Sequence, residues 1–157
     1  MTLTACDGMS ATQRAQSDLD AGLQAHIAGD LALAKAKYSD CLRLEATNKA
    51  CLYNNGLIAQ TEGRAAEAEN GYRLALLVDP VYAPALYNLA LLITPTLPDE
   101  AVTVFQRYLE INPDDPDGHY NFGLLLRARG DEAGAVAQLE RAHELDPTLR
   151  APIPPGS

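Results

Sequence analysis

The chain has no tryptophan, two phenylalanines and two methionines in 157 residues, and aromatics make up 6% of it. A core built from it must therefore be mostly Leu and Ala, which favours helix over sheet. Positive charge is also scarce: 12 Lys and Arg stand against 21 Asp and Glu, a net charge of −9. No local cluster of Lys or Arg interrupts this balance, which argues against nucleic acid as a partner. No apolar run approaches the roughly 20 residues that a membrane-spanning helix needs. The three His (His26, His119 and His143) share no metal-ligand spacing, so no zinc site is expected. The serines lack the His and Asp context of a triad. Neither a catalytic nucleophile–base pair nor a cofactor motif can be placed, and no enzyme activity is expected.

What is present is self-similarity. Gly22 recurs at Gly56, Gly29 at Gly63, Ala34 at Ala68 and Tyr38 at Tyr72, each 34 residues on. The next copy is one residue short, with Ala68 answered by Ala101 and Pro80 by Pro113; Pro113 to Pro147 restores the spacing of 34. Successive segments close on "VDP", "INP" and "LDP". A fixed period in this range signals an array of stacked units. Each copy holds two helical stripes. In the second, Leu52, Asn55, Gly56 and Ala59 form one, and Ala65, Ala68, Tyr72, Ala75 and Leu76 form the other. Gly63 separates them and Asp79-Pro80 ends the pair, because proline disfavours a helical residue before it. Small residues at Gly56 and Ala68 allow close approach of the two helices. In the third copy, Pro95 is expected to end the first helix and Pro98 to open the second. The run "NPDDPDG" (Asn112 to Gly118) lacks a full calcium loop and is expected to cap the helix that follows.

The stretch "LYNNGLIAQTEGRAAEAENGYRLALLVDP" resembles the tetratricopeptide repeat (TPR) family in its order: Gly, a Gly turn, Ala, an aromatic, Ala, then Asp-Pro. The resemblance implies an all-α TPR solenoid of four helix-turn-helix repeats in a right-handed superhelix. The repeats fall at 15–48, 49–82, 83–115 and 116–149, with a flexible N-terminal segment at 1–14 and a Pro-rich tail at 150–157. The first repeat is degenerate, with Ala46 in place of the closing Pro.

A tyrosine–asparagine pair occurs three times: Tyr53-Asn54, Tyr87-Asn88 and Tyr120-Asn121. The resemblance places these at the fifth and sixth positions of successive first helices, which line the concave surface in TPR proteins. Leu23, Leu57, Leu91 and Leu124 take the ninth position. An amide both donates and accepts, so Asn54, Asn88 and Asn121 could grip the backbone of an extended peptide while the tyrosines and Leu57, Leu91 and Leu124 take its side chains. The alternative is that each Asn only bonds a neighbouring helix. Leu19 and Asp20 replace the pair in the first repeat, so the ladder weakens there. Chaperone-tail binders of the family use a carboxylate clamp whose basic places hold Leu19, Pro84 and Asn88 here in one frame, and Tyr53, Asp117 and Asn121 in the other; Arg127 is the one cation assignable to the groove. The expected function is a non-catalytic adaptor binding an extended or partly helical peptide segment, with no cofactor.

Cys41 ends one helix pair and Cys51 begins the next. In stacked repeats they meet, either as a disulfide, if their Cα atoms lie within about 7 Å, or as two buried thiols. "LTACDG" (Leu3 to Gly8) resembles a bacterial lipobox with Cys6 as the lipidation site, although no basic or apolar leader precedes it; the other reading is a chance match. Taken at face value, it implies a lipid-anchored, pilotin-like envelope assembly protein, and otherwise a bacterial cytoplasmic one. The three prolines of "TLRAPIPPGS" preclude a covering last helix. Val136, Leu139 and Leu145 are therefore expected to lack full cover, which implies self-association or a docked partner; the alternative is that the tail itself, in polyproline form, lies over them or enters a neighbour's groove.

Overall fold

The computed structural model describes residues 8–149. Cys6 and the Pro-rich tail at 150–157 lie outside the described residues. All regular structure among the described residues is helical, in eight helices. They are α1 (Ala11–Ile27), α2 (Leu31–Leu44), α3 (Lys49–Thr61), α4 (Ala65–Val78), α5 (Ala83–Ile93), α6 (Pro98–Ile111), α7 (Pro116–Ala128) and α8 (Glu132–Leu145). This is an all-α TPR fold. Residues 11–14, expected in the N-terminal segment, belong to α1, whose start is set by a capping box between Ser10 and Gln13.

Each helix packs on its partner within a repeat: α1 on α2, α3 on α4, α5 on α6 and α7 on α8. Three of the four turns need a left-handed residue after the first helix, and glycine supplies it at Gly29, Gly63 and Gly130, with φ between 75° and 82°. The third repeat uses another device. Its α5 stops at Ile93, and Pro98 occupies the first turn of α6, where its missing N–H costs nothing. The copy is one residue short because α5 has 11 residues where α3 and α7 have 13, while the turn after it is one residue longer than theirs.

Within a pair, small residues set the helix spacing. A Cβ on Gly22 would lie 2.5 Å from Tyr38 Cε1, and one on Gly56 would lie 3.1 Å from the Ala68 carbonyl oxygen. The aromatic that follows each alanine fills the space left: Tyr38, Tyr72 and Phe105 are each at most 1% exposed. Leu139 holds that place in α8. It is 2% exposed and packs where a Cβ on Gly123 would sit, 2.7 Å from its Cγ. The expectation that Leu139 lacks full cover is therefore corrected: its own partner helix α7 buries it.

The described chain divides into two compact units, one ending at Pro80 and the other starting at Val81. In the first unit, α2 also packs on α3; in the second, α6 packs on α7. The two seams use the same two places in the repeat. In the first unit they hold Cys41 and Cys51, both fully buried and joined as a disulfide with Cα atoms 6.5 Å apart. In the second they hold Tyr108 and Gly118, and a Cβ on Gly118 would lie 2.7 Å from Tyr108 Cε1.

Candidate functional site

The three amides share one local geometry. Asn54 Nδ2 donates to the Ala50 carbonyl at 2.8 Å, Asn88 Nδ2 to that of Pro84 at 3.1 Å and Asn121 Nδ2 to that of Asp117 at 2.9 Å. Each acceptor lies one turn back in the same helix, the back-bonding that Asn side chains make in helices. The bond fixes each side chain's direction and occupies one of its N–H groups. Beyond this the three differ. Asn54, on α3 of the first unit, is 7% exposed and almost enclosed. Asn88 on α5 and Asn121 on α7 are half-buried. Asn121 Nδ2 also donates to Tyr87 Oη at 2.9 Å, so both of its N–H groups are engaged and its oxygen is left to accept.

The tyrosines separate in the same way. Tyr87 packs edge-on to Phe105, at 6.5 Å between ring centroids, and lies 5.2 Å from Tyr108. Its hydroxyl takes the Asn121 amide, and burial raises its pKa above the ordinary tyrosine value. Tyr53 lies 5.6 Å from Tyr72, whose hydroxyl donates to Gln60 at 2.5 Å. Tyr120 is half-buried on α7. Leu57 and Leu91 are half-buried, while Leu124 and Leu23 are 41% and 38% exposed.

Arg127 sits in the last turn of α7, with Nε 3.5 Å from Glu132 Oε1. Its Nη2 is buried without a hydrogen-bond partner among the described residues. In the first repeat Leu19 is buried, and Asp20 accepts from Gln16 at 2.8 Å, so neither reproduces the Tyr-Asn arrangement. Within the second unit, Asn88 and Tyr87 on α5 and Tyr120, Asn121, Leu124 and Arg127 on α7 fall on adjacent first helices, linked by the Asn121–Tyr87 bond. Tyr53, Asn54 and Leu57 lie on α3 of the first unit.

Tyr108 escaped the sequence reading, whereas the cap expected from the run 112–118 is supplied by Asp115. Tyr108 and Asp115 form a fixed pair, with the Tyr108 hydroxyl donating to Asp115 Oδ2 at 2.7 Å. That same oxygen accepts from the Gly118 N–H at 3.0 Å, capping α7. The acidic run before the helix was the available signal. A cleft of about 460 Å³ opens in the first unit among Leu42, Leu52, Asn55, Gly56, Gly71 and Leu74, and none of the predicted contact residues lines it. Asn55 stands there at the place that Leu89 and Phe122 fill in later repeats, both buried. His26 approaches the Tyr38 hydroxyl at 3.5 Å, His119 contacts Gln138 at 2.7 Å, and His143 contacts the Leu149 carbonyl at 2.8 Å. Among the described residues, no three His, Cys, Asp or Glu side chains converge as metal ligands, and no helix is long and apolar enough to cross a membrane.

Comparison with known proteins agrees with this geometry. A sequence profile of the tetratricopeptide repeat matches residues 104–144. The photosystem I assembly protein Ycf3 of Acaryochloris marina is 34% identical over 94 residues, covering 57% of this chain and 57% of that protein. The chain thus spans a little over half the length of that curated relative. Among solved structures, MamA from Desulfovibrio magneticus superposes with a TM-score of 0.79 at 18% identity, over 88% of this chain and 78% of that one. YrrB, a TPR protein with an unusual peptide-binding site, gives 0.73 at 20% identity, over 85% and 69%. Eight paired helices among the described residues, small and aromatic residues recurring at fixed places, the profile match over residues 104–144 and these neighbours together give the chain an all-α tetratricopeptide-repeat fold.

Proposed function

We propose that this chain is a non-catalytic adaptor that holds an extended or partly helical segment of a partner protein against the first helices of its repeats. The single observation behind the proposal is the Asn121–Tyr87 bond. It fixes an amide on α7 from a neighbouring first helix, so the groups offered to a ligand are ordered before binding, which lowers the entropic cost of association. With both N–H groups of Asn121 engaged, its Oδ1 would accept a backbone N–H from the ligand. Asn88 contributes from α5, and Tyr120, Leu91 and Leu124 supply apolar contact. Arg127 would add a cation at the end of α7. In the first unit, Asn54, Tyr53 and Leu57 offer a face of their own, in which Asn54 is the more enclosed amide. Tyr87 acts mainly by positioning Asn121. A role in bringing complexes together is supported by the likeness to Ycf3, an assembly protein by name.

The test is selection of binders from a displayed library of random peptides, followed by affinity measurement on the Asn88→Ala/Asn121→Ala variant. Two lost hydrogen bonds of about 1 kcal/mol each correspond to a 10- to 100-fold loss of affinity. Unchanged affinity in a variant with wild-type circular dichroism would rule the face out.

A second reading, a lipid-anchored envelope assembly protein, is favoured by the Cys41–Cys51 bond, because disulfides persist in oxidising compartments. Membrane fractionation with mass spectrometry of Cys6 tests it, and an unmodified Cys6 in native protein eliminates the anchor. Self-association is a separate reading, tested by light scattering.

A further inference from the structure

We infer that the Cys41–Cys51 bond is a redox-controlled latch that holds the first repeat onto the second. The argument starts from the two seams. In the second unit, a tyrosine ring lies over a glycine at these places, Phe105 stacks on Phe122 with centroids 5.7 Å apart, and Tyr108 bonds Asp115. That seam is held by packed surface. In the first unit the same places carry two small side chains, both 0% exposed, and the link between α2 and α3 is covalent. Around them the buried cluster is made of Ala15, Ala25 and Ala34 with Leu19, Tyr38 and Ile58 as its larger members, and the partly buried Leu31, Leu42, Leu44 and Ala50 pack against it. Ile27 and Leu33 of the first repeat are 81% and 48% exposed and add little. The sulfur bridge is therefore a covalent link between the first repeat and the second, of a kind that the α6–α7 seam lacks.

A dithiol reductant acts by exchange. Its thiolate attacks one sulfur, the second thiol closes the reductant's own disulfide, and two electrons and two protons pass to Cys41 and Cys51 as thiols. Once separate, the two sulfurs must sit at van der Waals distance inside a seam with no exposed surface, so α2 must ease away from α3. Because both sulfurs are buried, the exchange itself also requires α2 to open, and the latch responds slowly. Reduction would free α1 and α2 to open on their own while α5 to α8 stay closed.

The experiment uses the full chain equilibrated with oxidised glutathione, then with and without dithiothreitol. Peptide mapping is expected to find Cys41 joined to Cys51. Reduction is expected to lower the melting temperature by roughly 5–10 °C and to speed amide hydrogen exchange over residues 11–61 but not over 83–145. A Cys41→Ala/Cys51→Ala variant serves as the control, since the equivalent places Ala75 and Ala85 are both alanine and fully buried. It should fold and show no response to dithiothreitol. The latch is overturned by free thiols at Cys41 and Cys51 after oxidation, by reduction that leaves exchange unchanged or raises it uniformly, or by an equal response in the alanine variant.

Discussion

The two units solve one packing problem in two ways. Where α2 meets α3, the contact is a sulfur bridge between small side chains; where α6 meets α7, it is a ring over a glycine, backed by stacked phenylalanines. Both solutions occupy the same places in the repeat. The register thus decides where neighbouring repeats touch, and the residue pair decides whether the seam is held by a bond or by buried area. A seam of packed rings weakens gradually as surface is removed. A covalent seam is either closed or open.

The comparison breaks most sharply at Phe105. It is 1% exposed and touches both Tyr87 and Phe122, so Phe105→Ala is expected to cost about 3–5 kcal/mol. Urea denaturation should show the loss, and hydrogen exchange should locate it in α5 to α8. Asp115→Ala comes next. It removes the α7 cap and leaves the Tyr108 hydroxyl without its acceptor, at a cost of about 1–2 kcal/mol. Asp115→Asn, which keeps a capping oxygen, should recover most of that stability. The smallest effect at neutral pH is zero, and it concerns tyrosine ionisation. Burial raises the pKa of Tyr38 and Tyr72 in the first unit and of Tyr87 and Tyr108 in the second. A raised folded-state value means that the neutral form is favoured by folding. Its contribution is complete below the unfolded value of about 10 and is lost as pH rises beyond it. Absorbance at 295 nm should therefore show these four of the seven tyrosines ionising late, with unfolding. Titration of all seven near pH 10 in folded protein would contradict the burial described for both units.

The repeat was legible because its signals are local and periodic. Gly29, Gly63 and Gly130 mark turns that only glycine enters easily, and Pro98 marks a helix start. Helices α3, α5 and α7 begin at residues 49, 83 and 116, the repeat starts expected from the spacing. The face of the candidate site was legible only as a list of places. Nothing in three identical Tyr-Asn pairs distinguishes Asn54, enclosed at 7% exposure, from Asn121, which spends its second N–H on Tyr87. Those partners lie on other helices, and the identity of the pair alone does not set their distance. Leu139 departs from its expected exposure for a related reason: α7 covers it across Gly123, and that contact lies on another helix.

By itself the amino-acid order determined the helical class, the period, the turns and the places at which repeats touch, because propensity, capping and backbone freedom act over a few residues. Only the tertiary structure decided that two cysteines lie 6.5 Å apart between Cα atoms in a sealed seam, and that Asn121 is held from a neighbouring helix. Such contacts depend on how closely whole helices approach, and that distance is set jointly by side chains that are far apart in the chain.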